Sequence, residues 1–183
     1  MSIYAQTSTN IDVIHDLVDQ SMDQVTSGLP FEDIAYYFTF TSLPEYQVIK
    51  NRALAAFSRK LSVTDDKSKS LKSIVYNLDN IKVDYKEPFK DGFFGSYLVE
   101  RECSIAGSYI ISSMDKSIKS EDFALSAKDT VEYSKISSLE SYTLPFTRSE
   151  IPPEPLLGSL LEPAIAISAI AVTIILFFTV RSN

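Results

Sequence analysis

The sequence predicts an α+β fold: a small sheet with two packed N-terminal helices, followed by one C-terminal transmembrane helix. Three observations carry this expectation. Residues 11 to 27 repeat apolar side chains at helical spacing. Two later stretches, 33 to 41 and 97 to 111, are rich in aromatic and β-branched types and read as buried or half-buried strands. Residues 164 to 180 contain no charged side chain.

In the first helix Ile11, Ile14, Val18, Met22 and Val25 share one face, Thr9 or Asn10 caps the start, and Gly28-Leu29-Pro30 stops it. Asp12, Asp16, Asp19 and Asp23 form a narrow stripe on the other side. The aromatic strand follows. Ser42-Leu-Pro-Glu45 has capping-box spacing, and a second helix runs to about Leu61 with Tyr46, Ile49, Ala53, Phe57 and Leu61 inward. Arg59 and Lys60 fall in its last turn, where the helix dipole favours cations. Val63 to Ser70 reads as a polar loop.

Leu71 to Tyr85 fits two templates. Leu71, Ile74, Val75 and Leu78 match a helix. Ile74, Tyr76 and Leu78, then Ile81, Val83 and Tyr85, match two strand phases broken at Asp79-Asn80, and residue types favour strand. A turn or bulge at the break would keep both triplets on one face.

Lys86 to Ser96 is expected to be a loop. Tyr97, Val99, Arg101, Cys103 and Ile105 then alternate with polar residues, and the strand continues toward Tyr109 and Ile111. Ser113 to Ser117 is the expected hairpin loop, and Ile118, Phe123 and Leu125 mark the returning strand. Asp129-Thr-Val-Glu132 is expected to start a short helix near Ile136 and Leu139. Four prolines between Ser141 and Pro155 suit an extended tether.

The uncharged run covers roughly 26 Å as a helix, the short end of a membrane crossing. Leucines from Leu156 onward could lengthen it, although Glu162 and Pro163 interrupt them. Ser2 to Gln6 resembles the end of a secretory signal peptide without its charged start and apolar middle. The expected organisation is a possible signal remnant at 1–8, a globular domain at 9–140, the tether at 141–155 and the membrane helix at 156–181. The domain is then placed on the periplasmic side. Arg181, close to the end of the run, favours a cytoplasmic C-terminus.

The chain carries 17 basic and 24 acidic residues, for a net charge of −7. That balance argues against nucleic acid, whose phosphates demand a basic surface. The charge is uneven: positions 1–49 hold seven acids and no Lys or Arg, so the later part is neutral. One cysteine excludes an internal disulfide framework, and one histidine excludes any site needing two.

No phosphate loop, dinucleotide fingerprint or metal cluster is visible, so no catalytic, cofactor or metal residue is assigned. Cys103 reads as a small core residue and His15 as a surface histidine. The candidate partner-binding residues are Asp12, Asp16, Asp19 and Asp23, facing a basic protein, together with Phe93 and Phe94 in a glycine-flanked aromatic loop. Small residues Ala164, Ser168 and Ala171 share one side of the membrane run and would let two such helices associate.

The order of helix, aromatic strand, helix, long strands and closing hairpin resembles the small envelope domains of the curli-secretion (CsgG), FlgO and TolB N-terminal type. Ile34 to Thr41 stand for the first strand and Ser104 to Ala124 for the closing hairpin. Those families usually show an Asp-x-x-Thr-Gly turn in that hairpin, whereas Met114-Asp115-Lys116-Ser117 lacks the glycine. The resemblance spans about residues 10 to 126, transfers no site residue, and implies an envelope assembly or scaffold role.

The expected function is therefore a non-enzymatic, single-pass membrane-anchored envelope scaffold or assembly accessory, with the bilayer and a protein as partners. The alternatives are a tail-anchored cytoplasmic adaptor and a membrane-bound enzyme of unknown class.

Overall fold

The computed structural model describes residues 7–27, 29, 34–64, 66–70, 72–92, 95–113, 118–153, 165, 167–174 and 177. The chain divides into two compact units, Met1–Ile151 and Pro152–Asn183.

The first unit opens with helix α1, Asn10–Ser27. Thr9 is its cap. The Asp12 backbone N–H donates to Thr9 Oγ1 at 3.3 Å, and the Thr9 N–H and hydroxyl donate back to the Asp12 carboxylate at 3.0 and 2.6 Å. Asn10, the other candidate cap, instead points inward and is fully buried. The expected face is buried at Ile14, Val18, Met22 and Val25, and Leu17 and Ser21 join it.

Strand β1, Tyr36–Ser42, leads into a 3-10 segment, Pro44–Ile49, and helix α2, Lys50–Ser58. All five residues expected to face inward here are buried. The proline-led start lacks a side-chain cap, which suits the tighter turn. The expected polar loop holds a two-residue strand, β2, Val63–Thr64, and a 3-10 turn at Lys67–Lys69 capped by Asp66.

The ambiguous stretch is one long strand, β3, Lys72–Tyr85. Its register against the next long strand shifts between Leu78 and Asn80. That bulge keeps Ile74, Tyr76, Leu78, Ile81, Val83 and Tyr85 all buried on one face. A two-residue strand, β4, Phe89–Lys90, interrupts the expected loop. Strand β5, Tyr97–Ser113, and strand β6, Ile118–Glu132, follow. The order is β2-β1-β3-β5-β4, with β6 paired to β5. Pairs β1–β2 and β1–β3 are parallel; β3–β5, β4–β5 and β5–β6 are antiparallel.

Helix α1 lies on β5 and β6 and beside α2, so one face of the sheet is covered by helices. Gly107 on β5 sets a close approach there. A Cβ at that position would lie 2.1 Å from the Asn77 carbonyl oxygen and 2.7 Å from the Phe123 ring. The Phe123 ring can therefore reach over β5 to stack on Tyr76 at 5.1 Å.

Three expectations need correction. Asp129 to Glu132 do not start a helix. They end β6, where Val131 is buried opposite Val99, and the chain turns helical only at Tyr133–Lys135 and α3, Ile136–Leu139. Residues 141–151 are not an extended tether either. Phe146 and Thr147 are buried, the Phe146 ring meets Tyr46 edge-on at 5.4 Å, and the compact unit extends to Ile151.

The third correction concerns the C-terminal transmembrane helix. Among the described residues no helix is long and apolar enough to cross a membrane. The longest described helical run in the second unit is 167–174, with 165 and 177 also helical. The fold is a mixed α/β arrangement with a curled sheet, and the described residues give the expected single-pass anchoring no support. Positions 154–164, 166, 175–176 and 178–183 lie outside the described residues.

Candidate functional site

The acidic stripe of α1 meets cations from its own chain. Asp19 accepts from Arg52 Nε at 2.9 Å and Nη2 at 2.7 Å, and from Arg59 Nη2 at 2.8 Å. Asp23 accepts from Lys60 Nζ at 2.6 Å. Asp16 stands 3.9 Å from Arg52 and is 71% exposed at its side chain. Asp12 is committed to the cap, and its hydrogen bonds from Thr9 hold its carboxyl below the usual carboxylate range. Three of the four aspartates thus line the seam between α1 and α2, and Asp16 is the most open of them.

His15 adjoins the same seam. Desolvation, then the Arg52 guanidinium, lowers its pKa against the opposing pull of Asp12, Asp19 and Asp16. Cys103 is fully buried on β5, and burial pushes its thiol up to about 11. A thiol in that setting stays protonated at neutral pH and is a poor nucleophile.

Beneath the N-terminus of α1 lies a polar cluster absent from the expected site residues. Arg101 on β5 is 0% exposed. It donates to Asp129 from Nε at 2.8 Å and Nη2 at 2.5 Å, and from Nη1 to the Ser8 carbonyl at 2.9 Å and Asn10 Oδ1 at 2.8 Å. Asn10 Nδ2 donates in turn to Tyr85 Oη at 2.8 Å and to the Thr147 carbonyl at 2.7 Å. The cluster joins α1, β3, β5, β6 and the segment after α3. Its one sequence signal is a charged residue in the inward phase of β5.

Among the described residues, β6 is a long strand paired on one side only. It pairs with β5 from Ile118 to Glu132, and no other described strand pairs with it. A shallow groove of about 200 Å³ runs between it and α1, lined by Asp16, Leu17, Gln20, Ala127, Lys128 and Asp129. Most of β6 is exposed, with Phe123 and Val131 as its buried anchors. Edge strands offer a row of unpaired backbone N–H and C=O groups, and natural proteins usually shield them with charges. Here Lys119, Glu121 and Asp122 stand at one end and Lys128, Asp129 and Glu132 at the other. The middle, Phe123 to Ala127, carries no charge.

Of the remaining expected site residues, Phe93, Phe94 and Ala164 lie outside the described residues. Ser168 and Ala171 are helical and exposed. Among the described residues no group of three or more His, Cys, Asp or Glu is placed to hold a metal ion.

No protein-family model and no curated protein matches the chain. Solved structures with similarity include rare lipoprotein B from Shewanella oneidensis, 11% identical, covering 75% of this chain and 86% of that one at a TM-score of 0.32. A minor lipoprotein from Acinetobacter baumannii is 8% identical and covers 69% of this chain and 100% of that one at a TM-score of 0.33. Both are bacterial lipoproteins, so the resemblance to curli-secretion, FlgO and TolB domains finds no support in them. With TM-scores below 0.5, neither likeness transfers an activity to this chain.

Proposed function

We propose that this chain is a non-enzymatic accessory domain of the cell envelope that works by protein contact along the open edge of β6. The observation that carries the reading is the edge itself: 15 residues long, bonded on one side only among the described strands, and uncharged at its centre. An extended segment of a partner can add to such an edge through main-chain hydrogen bonds, with side-chain contacts supplying selectivity. The Cys103 thiol is buried, so the single cysteine offers no accessible nucleophile.

A photocrosslinking residue placed at Ala124 or Ser126 in the native host should trap a protein, while the same residue at Lys50 on α2 should trap none. The trapped complex should fractionate with the envelope. Absence of any protein adduct at both β6 positions would remove the contact reading. An adduct found only in the cytosolic fraction would remove the envelope placement.

A further inference from the structure

The strand offers its own best match. We propose that β6 pairs antiparallel with β6 of a second copy of this chain, about a two-fold axis at Ala124, joining two sheets into one. This inference rests on the contact reading above and names the partner.

Edge-to-edge antiparallel pairing about a two-fold axis places each residue opposite one of the same parity. It therefore keeps the helix-covered faces of both sheets on one side. Only the centre of the pairing remains to be chosen, and among centres that keep more than half of β6 paired, Asp122 to Lys128, the charges select it. Centred on Asp122 or Lys128, like charges meet themselves. Centred on Ala127, Asp122 faces Glu132. Centred on Leu125, Asp122 faces Lys128, but Glu121 faces Asp129. Centred on Phe123 or Ser126, no charge finds an opposite. Centred on Ala124, Lys119 faces Asp129 in both halves and no like charges are opposed. Opposite-charge cross-strand pairs stabilise a sheet and opposed like charges destabilise it, so this register stands apart from its neighbours.

The same register gives the apolar residues partners. Phe123 of each copy faces Leu125 of the other, on the face that already carries Tyr76 and Ile105, and Ala124 faces itself. It also brings each Lys119 to the groove between α1 and β6, where Asp16 is exposed and Asp129 is 45% exposed at its side chain. Lys119 now pairs with its exposed neighbour Glu121 at 3.0 Å, a contact that costs little to exchange. Asp16, the most open acid of the α1–α2 seam, thereby gains a cation nearby.

The test combines sedimentation equilibrium with oxidative crosslinking of the full chain. Wild type should show a monomer–dimer equilibrium. Lys119→Glu should weaken it about tenfold or more, because two attractive pairs become repulsive. Lys128→Glu should leave it unchanged, since Lys128 faces Ser120 in this register. Single variants Asp122→Cys, Ala124→Cys and Ser126→Cys should differ, with Ala124→Cys giving the most disulfide-linked dimer because its thiols meet at the axis. A wild type that stays monomeric at the highest soluble concentration would overturn the proposal. So would a dimer broken by Lys128→Glu, or one crosslinked better through Asp122→Cys or Ser126→Cys. A heterologous adduct at Ala124 from a monomeric protein would overturn self-pairing while leaving the contact reading intact.

Discussion

Arg101 and Asp129 face each other across strands β5 and β6, joined by hydrogen bonds of 2.8 and 2.5 Å, with the guanidinium fully buried and the carboxylate half exposed. This pair fastens the outer strand to the interior. Removing Asp129 strands a buried charge, whereas removing both partners does not. Asp129→Asn should cost about 2 kcal/mol, discounted because solvent reaches the carboxylate, and lower Tm by about 5 °C. The double variant Arg101→Met, Asp129→Asn should recover part of that loss. Chemical denaturation of the variants checks both, and equal losses in single and double variants would contradict the pairing.

The α1–α2 seam should discriminate among the four aspartates. Asp19 bridges two arginines and is one quarter exposed, so Asp19→Asn should cost about 1 kcal/mol. Asp16→Asn should change stability by no more than a few tenths of a kcal/mol. Part of the Asp19 effect should vanish in high salt, because the Arg59 arm is exposed. Thermal melts at low and high salt read this directly.

Cys103 should be inert in the folded domain. Its thiol is buried and pushed up to about 11, so a maleimide at neutral pH should label it only after denaturant is added. Fast labelling of the native protein would show that β5 opens at this point.

Acid should weaken the fold through His15. Its folded pKa lies below the model-peptide value of 6.5, so the unfolded chain takes up a proton that the native one refuses. Stability is therefore full above about pH 6.5 and falls as pH drops toward the lowered folded value. His15→Gln should flatten the fall in Tm between pH 7.5 and 5.5. An unchanged slope would place the acid sensitivity elsewhere.

Local periodicity made several elements legible in the sequence. The inward face of α1 and the five buried positions from Tyr46 to Leu61 follow from side-chain spacing, while the break in β3 is readable only as a turn or a bulge in what could also be a helix. That break is visible as a change of strand phase at Asp79-Asn80. What escaped was non-local. The partners of Asp19 and Asp23 come from α2 and the two residues after it, beyond the stretch that holds the unbalanced negative charge. Arg101 reads as one polar residue in an apolar phase until Ser8, Asn10 and Asp129 surround it. The prolines around Phe146 look like a linker, yet Phe146 and Thr147 find core partners far away in the chain. The edge position of β6 cannot be read from the strand's own residues, because it depends on which strand lies beside it.

Hydrogen exchange along β6 tests the open edge most directly. In the dilute domain, the amides of Ser120 to Thr130 that point away from β5 should exchange fast, while those of Ile74 to Leu78 on β3 stay protected. At high concentration the β6 amides should slow as the second copy covers them, with β3 unchanged. Amides throughout β6 protected as well as those of β3 in dilute solution would show an edge already covered. No change with concentration or with added envelope extract would contradict its use as a contact surface.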